Sequence, residues 1–92
     1  MIGLSVVYVE YMKDIFSSAL TLEPDTRKEL DKAFIDVPYN AIILDFSGIK
    51  SMSCDFAKEY ISIKNESNKA VNEVNLPPEL RLIMDKASEC DP

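Results

Sequence analysis

The densest apolar stretch of the chain, Ala41-Ile42-Ile43-Leu44-Asp45-Phe46, is interrupted only by Asp45 near its carboxyl end. A nearly continuous run with β-branched members is the pattern of a strand covered on both faces, and it predicts residues 41 to 46 as the central strand of a sheet. Ser47-Gly48 then supplies turn chemistry. The period changes next: Phe56, Ala57, Tyr60, Ile61 and Lys64 recur at helical spacing, with Asp55, Lys58, Glu59 and Ser62 opposite, which predicts an amphipathic helix over 54 to 64. Ser53 stands at the N-cap position, Asp55 places negative charge at the positive end of the helix dipole, and Asn65 offers a stop.

Elsewhere the pattern is less uniform. Ile2, Leu4, Val6 and Tyr8 alternate with their neighbours and predict a strand over residues 2 to 9. Between 10 and 22 two periods coexist. Tyr11/Met12, Ile15/Phe16 and Ala19/Leu20 pair at helical spacing, while Phe16, Ser18, Leu20 and Leu22 alternate, so a helix over 10 to 20 and a strand over about 16 to 22 both fit. Pro24, followed by Thr26 and Glu29 in a capping-box arrangement, opens a helix near 25 that buries Leu30, Ala33, Phe34 and Val37 and stops at Pro38. Residues 69 to 76 alternate weakly, with Ala70, Asn72, Val74 and Leu76 on one side, as an edge strand does. Pro77-Pro78-Glu79 then leads into a helix over 78 to 88 carrying Leu80, Ile83, Met84 and Ala87 on one face, with a polar tail from about 88. Alternation of strands and helices predicts a single α/β domain spanning 1–92, a mixed, mainly parallel sheet flanked by helices.

Leu44-Asp45-Phe46-Ser47-Gly48-Ile49, a short polar link, and a helix opening Ser53-Cys54-Asp55-Phe56-Ala57 together resemble the STAS-like domains, relatives of the STAS domains of anti-sigma-factor antagonists. Val74-Asn75-Leu76-Pro77, leading into a last helix that carries Arg81, is similar to the same pattern, as is the looser Thr26 to Leu30 segment. The resemblance spans most of residues 15 to 88 through short motifs whose order and spacing match. It implies a STAS-like fold with a second strand at about 16 to 22, hairpinned to the first. It also implies a non-catalytic regulator that presents a helix start to a protein partner, a kinase-like or anti-sigma-type protein. The partner-binding residues it points to are Ser51, Met52, Ser53, Cys54, Asp55 and Lys58. In the antagonists a hydroxyl at this helix start is phosphorylated; that position falls on Cys54, which is no ordinary kinase substrate, leaving Ser53 as the phosphorylation candidate and, beside that, a simple N-cap.

Composition narrows the chemistry. The chain has 92 residues, 47% of them hydrophobic, and a formal charge of −6 from sixteen acidic and ten basic residues. A core burying about 60–70% of the unfolded surface is within reach of that length. The negative balance, with basic residues scattered, argues against nucleic acid as a partner. No apolar run is long enough for a membrane span and the opening lacks a basic segment, so neither a membrane nor a secretory leader is expected, and a cytoplasmic location follows.

With no histidine and two glycines, His-based triads, His metal sites and Gly-rich nucleotide loops are excluded, and neither an enzyme nor a cofactor is expected. Two cysteines, Cys54 and Cys90, are too few for a disulfide framework or a four-ligand zinc site. Cys54 at a helix start reads either as a small core residue or as the centre of a redox-responsive protein. Asp45 and Asp55 could approach one another at the carboxyl edge of the sheet, although strand-end and helix-start roles account for them separately. Self-association into a homodimer stays open.

Overall fold

A computed structural model describes residues 8–35 and 40–89, the side chain of Ser88 excepted. In chain order the elements are β1 (Tyr8–Tyr11), α1 (Met12–Ile15), β2 (Ala19–Leu20), α2 (Thr26–Phe34), β3 (Ala41–Asp45), β4 (Ser51–Met52), α3 (Cys54–Glu66), β5 (Ala70–Val74), α4 (Pro78–Asp85) and a 3₁₀ turn, Ala87–Glu89. The main sheet runs β1-β3-β5 and every pairing in it is parallel. The predicted central strand is therefore central. The fold is α/β, with a mainly parallel sheet flanked by helices.

Strand order explains where the helices go. The chain steps across the sheet in one direction, β1 to β3 to β5, and right-handed crossovers that advance one way deposit their helices on one face. Burial along β3 records this: Ile42 and Leu44 are fully buried, whereas Ala41, Ile43 and Asp45 are only half-buried. The strand is fully covered on one face rather than on two. Ile42, Leu44 and Phe46 share a single core with Leu30 and Phe34 of α2, Phe56, Tyr60 and Ile63 of α3, and Leu80 and Met84 of α4. Phe16 meets Phe56 edge-on at 5.2 Å, and Phe46 meets Tyr60 in the same way at 6.2 Å.

The stretch from 10 to 22 uses both of its periods. Met12–Ile15 makes one helical turn, which buries Met12 completely, and only Ala19–Leu20 is strand. That strand is not hairpinned to β1. It pairs in parallel with β4, whose residues Ser51 and Met52 were expected in a link, and the pairing continues as Ser53 N–H donates to the Leu20 carbonyl at 2.8 Å. Residues 2 to 7 of the predicted first strand lie outside the described residues, as do Val37 and the stop at Pro38.

Thr26 does not cap α2. It is the first helical residue, almost fully buried, and its hydroxyl accepts from the Glu23 amide at 2.7 Å, while Asp25 holds the N-cap position without a side-chain bond. Arg27 ties α2 to α3 by donating to Glu59 at 2.9 Å and to Glu66 at 3.0 Å. The last helix ends at Asp85, three residues earlier than predicted, and Ala87, the first residue of the 3₁₀ turn that follows, is buried.

Candidate functional site

A parallel strand delivers the chain to the carboxyl edge of its sheet, so the connection after β3 and the start of α3 meet there. Phe46 to Ile49 is a tight turn closed by the Ile49 amide donating to the Phe46 carbonyl at 3.1 Å. Gly48 sits in it with φ of 79°, a conformation that side-chain-bearing residues resist. Asp45 serves this turn. Its Oδ1 accepts from the Ser47 hydroxyl at 2.6 Å, the Ser47 amide at 2.8 Å and Asn75 Nδ2 at 3.0 Å. The Ser47 hydroxyl above all, then Asn75 and the Ser47 amide, hold its carboxyl below the ordinary range. Asp45 is thus committed to loop geometry, and Asn75 reaches it from a left-handed backbone position, φ 56°.

Helix α3 begins where the sequence places it. Ser53 Oγ accepts from the Phe56 amide at 3.1 Å, an N-cap bond, and Asp55 lies in the first turn. The helix continues past Asn65 to Glu66. Phe56, Ala57, Tyr60 and Ile63 form its buried stripe, which leaves Cys54, Asp55 and Lys58 exposed and Ser53 half-buried.

Of the predicted contact residues, Ser51, Cys54, Asp55 and Lys58 are at the surface. Met52 is not. It is 6% exposed and belongs to the core, because pairing of β4 with β2 turns its side chain inward. Two depressions flank the helix start. Asp55 and Lys58 line an open groove of about 450 Å³ with Leu22, Glu59 and Ser62, and Leu22, at 46% exposure, is its apolar wall. Cys54 lines the second, a cleft of about 340 Å³ formed with the edge of Met52 and with Leu82, Ile83 and Lys86 from α4 and its end. Leu82 is 57% exposed. Leu22 entered the sequence reading only as a member of an alternating run and Leu82 not at all; both are exposed.

Cys54 is neither a core residue nor a thiol. It is exposed and disulfide-bonded, and no free cysteine is present among the described residues.

The described residues also include a buried charge. The Glu73 side chain is 4% exposed on the helix-covered face of β5. Its Oε2 accepts from the Tyr60 hydroxyl at 2.6 Å and from Lys64 Nζ at 3.0 Å, and Arg81 approaches Oε1 at 3.2 Å. Burial pushes the Glu73 pKa up, but the hydrogen bonds from Tyr60 and Lys64 and the charges of Lys64 and Arg81 outweigh it, so the carboxyl titrates below its ordinary value. Burial, then the Glu73 charge, hold the Tyr60 phenol protonated well above its usual range. The network joins α3, β5 and α4, and it explains why Lys64 faces inward on the helix.

Among the described residues no group of three or more His, Cys, Asp or Glu side chains could hold a metal ion, and no helix is long and apolar enough to cross a membrane. Comparison of the chain with models of known protein families, with curated proteins and with solved structures finds no match in any of the three.

Proposed function

We propose that this chain is a non-catalytic protein–protein interaction module of STAS-like type, working in the cytoplasm, whose partner docks at the start of α3. The observation that carries this reading is the groove beside the first turns of that helix. Leu22 supplies an exposed apolar contact, Asp55, Lys58 and Glu59 place charges of both signs around it, and Ser62 adds a hydroxyl. An apolar centre within a polar rim is how protein contact surfaces are built. Asp45, at the carboxyl edge of the same sheet, is bound to Ser47 and Asn75, which accounts for it as a residue that holds the loop.

The kinase-like or anti-sigma-type character of the partner comes from the resemblance of the 44–57 segment. Ser53 retains its reading as the phosphorylation candidate: its oxygen caps the helix, and a phosphate there would face the positive end of the dipole.

The experiment is affinity capture from extracts of the source cells, with the native chain and three variants as bait. Leu22→Asp and Lys58→Glu alter the groove, and Asn72→Lys alters an exposed position on the opposite face of the sheet. The reading predicts a protein captured by the native chain and by Asn72→Lys, and lost from both groove variants. Equal capture by all four folded proteins places the docking surface elsewhere.

A further inference from the structure

Next to the groove that Leu22 walls lies a second depression of about 440 Å³. Its lining combines half-buried Ile15 and Phe16 with three carboxylates, Glu23, Asp25 and Glu29, and includes no lysine or arginine among the described residues. Thr21 and Glu23 line this depression while Leu22, between them in the chain, lines the groove. A single ridge of chain therefore separates the two, and Leu22, 46% exposed, belongs to it.

The ridge is fixed before anything binds. Thr26, 1% exposed, accepts the Glu23 amide on its hydroxyl at 2.7 Å, and its own amide donates to the Glu23 carbonyl at 3.0 Å. The Thr21 hydroxyl donates to Glu23 Oε2 at 2.8 Å. Asp25 holds the N-cap position of α2 without a side-chain cap bond, and Glu29 has Lys32 at 3.5 Å with both side chains partly exposed. Among the described residues no group of three or more His, Cys, Asp or Glu side chains could hold a metal ion, so these carboxylates do not converge on one cation. They surround an apolar wall with negative charge of one sign.

We propose that the segment docking at this surface is basic: it crosses the ridge with an apolar side chain against Leu22 and lays an arginine or lysine side chain into the second depression. The proposal takes its location from the docking reading and adds the chemistry of the partner. Arginine and lysine carry a hydrocarbon stem beneath a charged head, which matches a wall of Ile15 and Phe16 below Glu23 and Asp25. Opposite charge across a contact selects the partner and speeds encounter, and the chain's formal charge of −6 acts in the same direction at longer range. An acidic segment would be repelled here. Because the ridge is already held by Thr26, little ordering is left for binding to supply.

The test is a nuclear magnetic resonance titration of the isotope-labelled whole chain with a short synthetic peptide, a leucine followed by alternating arginine and lysine. Two counterparts carry glutamate at every basic position or serine in place of the leucine. The proposal predicts amide shifts gathered over residues 15 to 29, weaker binding of the serine peptide and none of the glutamate peptide. Raising the ionic strength from low to physiological should weaken binding several-fold, as expected for exposed charge pairs. Glu23→Gln combined with Asp25→Asn should weaken it about three- to tenfold. Glu79→Gln combined with Asp85→Asn removes the same charge from exposed positions of α4 and should leave the affinity within about twofold. No shifts, shifts spread evenly over the exposed acidic residues, equal weakening by the two double variants, or a serine peptide that binds as tightly would each overturn it. If the peptide fails while capture is still lost in Leu22→Asp, the docking reading stands with a partner of other chemistry. If the peptide binds here while capture ignores the groove variants, the docking reading falls and the basic-segment site remains.

Discussion

Replacing Glu73 with glutamine removes the one negative charge buried among α3, β5 and α4 while keeping its shape. The oxygen of the new amide can still accept from Tyr60, whose hydroxyl reaches Glu73 at 2.6 Å from a fully buried ring. The amide protons, however, would confront Lys64 and Arg81, which in the native chain approach a carboxylate at 3.0 and 3.2 Å. A hydrogen bond to a charged partner contributes about 1.5–3 kcal/mol. The Lys64 and Arg81 side chains are 30% and 47% exposed and can recover some hydration, so each loss falls at the low end, with Arg81 discounted further. The substitution should cost about 2–3 kcal/mol. For a domain of this length that lowers the thermal midpoint by about 10–20 °C, which calorimetry or circular dichroism at pH 7 would show.

The same argument fixes a pH dependence. Because the folded-state pKa of Glu73 is depressed, its contribution is fully present above the ordinary value of 4.5 and is lost as pH falls through the lower folded value. The gap between native and Glu73→Gln midpoints should therefore be constant from pH 7 to about 5 and close below 4.5. A Glu73→Gln protein as stable as the native chain at pH 7, or a gap that persists in acid, would refute the account of this network.

Three other perturbations test separate parts of the structure. Asp45→Asn should lower the urea midpoint only slightly and leave partner capture intact, because its work is to hold Ser47 and Asn75; loss of capture by a folded Asp45→Asn protein would show a functional carboxylate. Gly48→Ala should cost about 1–2 kcal/mol in a urea titration, mainly through the positive φ, since the added carbon meets only the flexible Lys13 chain at 3.0 Å. Phe56→Ala, which empties a fully buried site packed on Phe16, should cost about 3–5 kcal/mol and broaden the near-ultraviolet signal; a smaller loss would mean the core collapses around the gap.

The elements with long, consistent periods were legible from sequence. Ile42 to Leu44 could only be a covered strand, and the spacing of Phe56, Ala57 and Tyr60, together with the Ser53 cap, locates α3 to the residue at its start. Sidedness was not legible, because a run such as Ala41-Ile42-Ile43-Leu44 carries no alternation to say that one face is only half-covered; that follows from strand order. Strands of two residues are too short to express a period. Ala19–Leu20 and Ser51–Met52 exist through pairing with each other, a tertiary event, and that pairing is what sends Met52 inward. Of the proposed docking surface, the contribution of α3 was readable, whereas those of Leu22 and Leu82 depend on which segments fold beside it. The Glu73 network was hidden for the same reason: Lys64 falls on the inward stripe of its helix without a visible partner, and only the packing of three elements brings it, Glu73 and Arg81 into one group.

The central claim is that partners meet this protein at the start of α3, and site-specific photo-crosslinking in the source cells tests it most directly. A photoreactive phenylalanine analogue placed at Asp55 stands on the exposed first turn beside the groove, and the same analogue at Asn72 stands on the opposite face of the sheet. The account predicts a discrete protein adduct from position 55 and none from position 72. Adducts from position 72 alone, with position 55 silent in a correctly folded chain, would contradict it.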